Sequence, residues 1–213
     1  MGPRLYRDRE DAGRQLAERL IDLATDQPIV FGLVRGGVAT AAPIAKALGA
    51  PLAPLIVRKI GHPNHPELGL GAIAPDGVVN LDSDLLDRLG INDRDIQAVI
   101  EAEFDELERR RDEFDPKSAQ PVWDRVCIVV DDGLATGSTA AVAGEYLKRE
   151  GARRTILAVP VCPPESLARM ALIYDRVECL QCISNFRSVG QWYEDFQQLT
   201  DRDVKLVLGI LDG

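Results

Sequence analysis

Residues 126–139, Val-Cys-Ile-Val-Val-Asp-Asp-Gly-Leu-Ala-Thr-Gly-Ser-Thr, constrain the fold of this chain more than any other stretch. The apolar run Val126 to Val130 has the length and β-branched composition of a strand buried in a parallel sheet. Two adjacent carboxylates, Asp131 and Asp132, end it; a loop of small and hydroxyl residues follows, and an alanine-rich helical pattern begins near Ser138. Strand, loop and helix N-terminus in that order form an anion cradle, because free backbone N–H groups and the positive end of the helix dipole face the loop. The carboxylates would repel a bare phosphate, so they need another partner; ribose hydroxyls, Mg²⁺ or both would serve. A ligand with a phosphate at one end and a sugar diol beside it satisfies the whole segment. Tandem Asp at a buried strand end is costly unless used, which argues against a plain glycine-rich turn.

A phosphorelay receiver also sets paired Asp after a strand, but near its N-terminus and with a phosphoacceptor Asp closing a later strand. Here the later strand-like runs end in Val159-Pro160 and Cys179-Leu180. Positions 129–139 instead resemble the 5-phosphoribosyl-1-pyrophosphate (PRPP) motif of type I phosphoribosyltransferases, over eleven contiguous residues. The chain as a whole resembles bacterial members of that family whose substrate base is not obvious from the motif. The resemblance implies an α/β fold: a mainly parallel twisted sheet flanked by helices, with a small hood subdomain. It implies one domain over residues 1–213, the hood coming from the N-terminal segment and about residues 181–213. Gly133, Leu134, Ala135, Thr136, Gly137, Ser138 and Thr139 would hold the ribose 5-phosphate. Asp131 and Asp132 would face the ribose hydroxyls and hold Mg²⁺, directly or through those hydroxyls or water. The implied activity is Mg²⁺-dependent transfer of a phosphoribosyl group from PRPP to a small nitrogenous base, releasing pyrophosphate. A sensor of PRPP or nucleotide using the same pocket is the alternative, and a phosphoribosyl hydrolase or pyrophosphorolytic enzyme a third. A homodimer is expected.

With 46% hydrophobic residues, a chain of 213 residues can bury a sizeable core. The charged start from Met1 to Asp8 does not read as a signal peptide, and no run approaches the roughly 18 apolar residues of a membrane span. The expectation is a cytoplasmic protein with no membrane partner. The net charge of −9 argues against nonspecific nucleic-acid binding and confines positive charge to a local pocket, with Arg35, Arg58 and Lys59 as candidates. The four cysteines do not form a disulfide framework. Cys179-x-x-Cys182 falls at a strand end without a second such pair, so packed, reduced thiols are expected.

Along the chain, Ala12, Leu16, Leu20 and Leu23 keep helical spacing between Asp8 and Ala24. Ile29–Val34 reads as the first core strand, then a helix to Leu48 stopped by Gly49, then a strand at Leu52–Val57. Residues 60–70 lack periodicity and read as a long loop or hairpin, followed by strand pieces at Gly71–Ala74 and Val78–Leu81. A long helix runs from an Asn92 cap to about Phe114; 116–121 reads as a linker. A strand at Thr155–Val159, a helix at Glu165–Ala171 and a strand at Arg176–Leu180 complete the pattern. Alternating strands and helices imply right-handed crossovers and ligands beyond the carboxyl ends of the strands, where the loops after Val34, Val57 and Val130 would converge.

By resemblance, Arg35-Gly36-Gly37 forms the pyrophosphate loop, with a cis peptide expected at Arg35–Gly36. Arg58 and Lys59 stand at the mouth of a loop that would close over PRPP and steady the leaving group. His62 and His65, in that loop near Glu67, read as lid residues or a proton-transfer pair rather than a metal site. Ala135 stands where some purine-using relatives carry an Asp that deprotonates the base, so a loop general base is unsupported. Phe186 would stack on the base, with Trp192 and Tyr193 assisting. Arg109-Arg110-Arg111, flanked by acids, reads as a solvated helix face.

Overall fold

The structure, a computed structural model, describes residues 4–114 and 121–210. Five parallel strands form the central sheet: β1 Ile29–Leu33, β2 Leu52–Leu55, β6 Val126–Val130, β7 Arg154–Cys162 and β8 Arg176–Cys182. Their order is β2-β1-β6-β7-β8. Every residue of β1 and β6 is buried, as continuous apolar strands covered on both faces require.

Alternation along these strands feeds two cores. Ile29, Phe31, Leu33, Cys127 and Val129 pack with Ala140, Ala143 and Met170, from helices α5 (Ser138–Arg149) and α6 (Pro164–Met170). Val30, Ile128 and Val130 pack with Leu16, Leu20, Ala41 and Ile44, from helices α1 (Arg9–Leu20) and α2 (Gly36–Leu48). Gly49 closes α2 in the left-handed region at φ 60°.

A second, antiparallel sheet of β3 (Arg58–His62), β4 (His65–Ala74) and β5 (Val78–Leu81) stands beside the first. Residues 60–70 therefore form a hairpin rather than a loop. Helix α4 (Asp93–Glu113), N-capped by Asn92, covers this sheet, and Ile60, Leu70, Ile73, Ile96, Leu107 and Phe114 share one core with Val204 of α7 (Asp201–Val207). Helix α3 (Ser83–Leu89), capped by Asp82, buries no residue fully; Leu85 and Leu86 pack against the edge of that core. The N-terminal segment meets the C-terminal one where Tyr6 pairs with Tyr193. Among the described residues no helix is long and apolar enough to cross a membrane. The expected linker lies, apart from Pro121, outside the described residues.

Candidate functional site

Because β1 lies between β2 and β6, the loops leaving their carboxyl ends are neighbours. They line one cleft with two lobes. The inner lobe, about 400 Å³, is bounded by Leu33–Gly36, Val57, Lys59 and the whole segment Asp131–Thr139. The outer lobe, about 580 Å³, shares Val34–Gly36, Lys59 and Thr139 and reaches Arg58, Arg110 and Leu199.

The Asp131–Thr139 loop is anchored from below. Leu134 is buried, and its N–H donates to the Val161 carbonyl at 2.9 Å, so it ties the loop to β7 instead of offering an amide to a ligand. Ser166 Oγ of α6 donates to the Ala135 carbonyl at 2.6 Å. Gly137, at φ 72°, turns the chain into α5, a conformation that favours glycine. The first N–H groups of α5 have no acceptor within the helix and face the cleft with the Thr136, Ser138 and Thr139 hydroxyls. The Thr136 and Ser138 hydroxyls hydrogen-bond to each other at 3.1 Å.

The two carboxylates are in different situations. Asp132 Oδ2 accepts from Arg9 Nε at 2.7 Å, and the Asp132 carbonyl accepts from the Tyr193 hydroxyl at 2.6 Å. Asp131 Oδ1 accepts the Asp132 N–H at 2.9 Å. Burial, and then the charge of Asp132, push the Asp131 carboxyl well above the usual carboxylate range, opposed by Lys59 and Arg9. Burial also raises Asp132, against the pull of Arg9.

Arg9 was not among the residues expected at the site. It heads the apolar stripe Ala12, Leu16 and Leu20 of α1, and a cation at that position is the signal a sequence offers. Its guanidinium lies 3.9 Å from the Phe196 ring centroid and donates to the Gln197 carbonyl at 2.9 Å.

On the facing side, Arg35 precedes α2 and Gly36 opens it. A Cβ on Gly36 would fall 1.9 Å from Asp132 Oδ2, and one on Gly37 would fall 2.3 Å from the Val130 carbonyl, so both glycines permit close packing against the acidic loop. The cis peptide is Val34–Arg35, not Arg35–Gly36. Gly36 already belongs to α2 and the Arg35 carbonyl accepts the Val38 N–H at 3.2 Å, so the irregular link falls one residue earlier.

Arg58 and Lys59 open β3 and both line the outer lobe. Arg58 is held by Glu103 at 2.7 Å, and Lys59 is exposed. The arginine run divides. Arg109 pairs with Glu106 and Glu113, and Arg111 with Glu108 and Asp76, on a solvated face. Arg110 instead points inward, only 15% exposed, bonded to Asp201 and lining the outer lobe. Its place three residues after Leu107 and four before Phe114 puts it on the buried side of α4.

Phe186 lies beside Trp192, 6.5 Å between ring centroids, in the cluster around Tyr6 and Val161, and lines neither lobe. Phe196 is the aromatic that lines both. His62 and His65 sit at the hairpin, their rings 5.2 Å apart, away from the cleft lining. Among the described residues no group of three or more His, Cys, Asp or Glu side chains converges to hold a metal. All four cysteines are free thiols; Cys162 and Cys179 Sγ lie 3.2 Å apart and Cys182 is exposed.

Comparison with known proteins supplies an independent line. The family model described as the phosphoribosyl transferase domain matches residues 4–197. Two Mycobacterium tuberculosis proteins, from strains CDC 1551 / Oshkosh and H37Rv, provisionally named phosphoribosyl transferases, are each 43% identical over 202 residues. That alignment covers 94% of this chain and 46% of theirs, so the chain spans about half the length of these curated relatives. The crystal structure of TT1426 from Thermus thermophilus superposes with a TM-score of 0.81 at 35% identity, covering 98% of this chain and 100% of that one. A hypothetical protein from Neisseria gonorrhoeae, crystallised with bound ppGpp, shares the fold at 11% identity and a TM-score of 0.51, covering 99% of this chain and 98% of its own.

Proposed function

Because the chain belongs to the phosphoribosyl transferase family, we propose that it moves the phosphoribosyl group of PRPP onto a nitrogenous base or related nitrogen nucleophile, releasing pyrophosphate. The observation that carries this is the Asp131–Asp132 pair at the end of β6, in the loop that leads to the N-terminus of α5 and lines one cleft with Arg35 and Gly36. The loop amides and the Thr136, Ser138 and Thr139 hydroxyls take the 5-phosphate; the acidic pair takes the ribose hydroxyls. Arg35, the Gly36 backbone and Lys59 take the pyrophosphate.

In this scheme the C1–O bond breaks while the acceptor nitrogen donates its lone pair to C1. Positive charge grows on the ribose and negative charge on the departing pyrophosphate. Asp131 and Asp132 lie on the ribose side of the cleft, Arg35 and Lys59 on the leaving-group side, an electrostatic division suited to that transition state. Ala135 offers no proton acceptor, so the proton that the acceptor nitrogen loses on bonding to C1 passes to water or to the departing pyrophosphate rather than to a side chain at that position.

Mg²⁺, when bound, would spread the charge of the leaving group. With Asp132 paired to Arg9, Asp131 is the carboxylate of the pair that makes no ion pair among the described residues and would be the one to hold such an ion. That fits a metal which keeps several waters and takes further oxygens from its substrate. The transferase so described is a cytoplasmic enzyme acting on small molecules.

The test is to incubate the protein with PRPP, Mg²⁺ and a panel of nitrogenous bases and follow pyrophosphate. Release accelerated by one base supports transfer. Tight PRPP binding with no base-dependent release would favour a sensor instead.

A further inference from the structure

The outer lobe of the cleft is unlike the rest of the protein. Across a chain with 34 acidic and 25 basic residues, this lobe is lined by Arg9, Arg35, Arg58, Lys59 and Arg110 and by no carboxylate. The inner lobe, which holds both Asp131 and Asp132, already accounts for the ribose and its phosphate. Pyrophosphate adjoining it is met by Arg35 and Lys59, for which no acidic partner is found among the described residues. Arg58 and Arg110 are additional: with Gln198 and Leu199 they line the outer lobe and not the inner one.

These two arginines are fixed rather than loose. Arg58 presents Nε and Nη2 to Glu103, and Arg110 is bonded to Asp201 through Nη2 alone. Neither Glu103 nor Asp201 lines the lobe; each holds its guanidinium from outside. A guanidinium has five N–H donors, so Arg110 keeps donors for a ligand. Its position depends on the packing of α4 against α7, not on the acidic loop. A neutral base would leave the guanidinium donors that Glu103 and Asp201 do not use without acceptors when the cleft fills, a penalty that an oxyanion avoids.

Resting on the transferase function above, we infer that the nitrogen acceptor carries an oxyanion group, a carboxylate or a phosphate, which binds Arg110 in the outer lobe. Its ring lies along Val57 and Leu199, and the shared boundary at Val34–Gly36 and Lys59 brings it to the ribose carbon. Arg110 then sets acceptor specificity, while PRPP is held by the inner lobe and the boundary that the two lobes share.

The experiment measures affinities of matched acceptors for the full chain by thermal-shift titration with PRPP and Mg²⁺ present. The carboxylate arm compares pyridine-3-carboxylate, uracil-6-carboxylate and imidazole-4-carboxylate with their carboxamides. The phosphate arm compares 3-pyridylmethyl phosphate with 3-pyridylmethanol. At least one anion is expected to bind more tightly than its neutral partner by on the order of tenfold, and the arm in which it falls identifies the oxyanion. Arg110→Gln should bring that ratio to near one while leaving PRPP affinity unchanged. No preference for an anion in any pair, including no binding at all, overturns the inference, as does a preference that survives Arg110→Gln. The ratio in the unaltered protein decides whether the acceptor carries an oxyanion even if that variant folds poorly. Titration with PRPP alone separates the two levels: failure to bind PRPP removes the transferase function, whereas PRPP binding without anion preference removes only this inference.

Discussion

Arg9 Nε donates to Asp132 Oδ2 at 2.7 Å, joining the first helix to the central acidic loop. Both side chains are largely buried, 12% and 15% exposed. The same guanidinium stacks on Phe196 and holds the Gln197 carbonyl, so one residue ties α1, the loop and the C-terminal segment together. Replacing it leaves a buried acid uncompensated. Arg9→Gln is expected to destabilise the protein by about 2–4 kcal/mol at neutral pH, measured by urea unfolding. The loss should shrink as pH falls and Asp132 becomes protonated. Arg9→Lys should restore only part of it, since an ammonium cannot reproduce the stacked, fixed fork.

Asp131 predicts the opposite sign. Its folded carboxyl titrates above the usual range, first because of burial and then because of Asp132. The native state therefore holds a proton that the unfolded chain gives up at about pH 3.9. The resulting penalty is absent below that pH, grows as pH rises and is complete above the folded value. Asp131→Asn should raise the melting temperature at neutral pH, and the gain should vanish in acid. Melting curves at several pH values check both halves.

Gly36 leaves room for the Asp132 carboxylate. An alanine Cβ there would lie 1.9 Å from Oδ2, and Arg9 prevents that oxygen from simply moving away. Gly36→Ala is expected to cost about 1–3 kcal/mol of stability and to weaken PRPP binding, as read by denaturant titration and calorimetry on the same preparation.

Ser166 acts on the loop from α6. Its buried hydroxyl donates to the Ala135 carbonyl at 2.6 Å, holding the peptide that leads into Thr136. Ser166→Ala should cost about 1 kcal/mol and raise KM for PRPP more than it lowers kcat. An equal fall in kcat with KM unchanged would deny it a role in forming the phosphate cradle.

What could be read from the sequence was what local chemistry determines. The Val126–Thr139 segment carries its own strand, loop and helix signals, and Asn92 and Gly49 mark helix ends as cap chemistry requires. The hairpin at 58–74 was less legible because the first half of β4, His65–Gly69, is exposed on all residues and lacks alternation. Arg110 and Arg9 belong to the site only through helix faces, which a charge run disguises in one case and an apolar stripe in the other. Phe186 and Phe196 are equivalent aromatics in sequence; the path of the chain around Tyr193 sends the second to the cleft and leaves the first against Trp192.

The central claim is that PRPP binds at the Asp131–Thr139 loop. Calorimetric titration of PRPP in the presence of Mg²⁺, into the unaltered protein and into Asp131→Asn/Asp132→Asn, tests it directly. One PRPP bound per chain, with affinity lowered by at least roughly tenfold in the double variant, is the predicted result. Equal affinity in the two proteins would contradict the account.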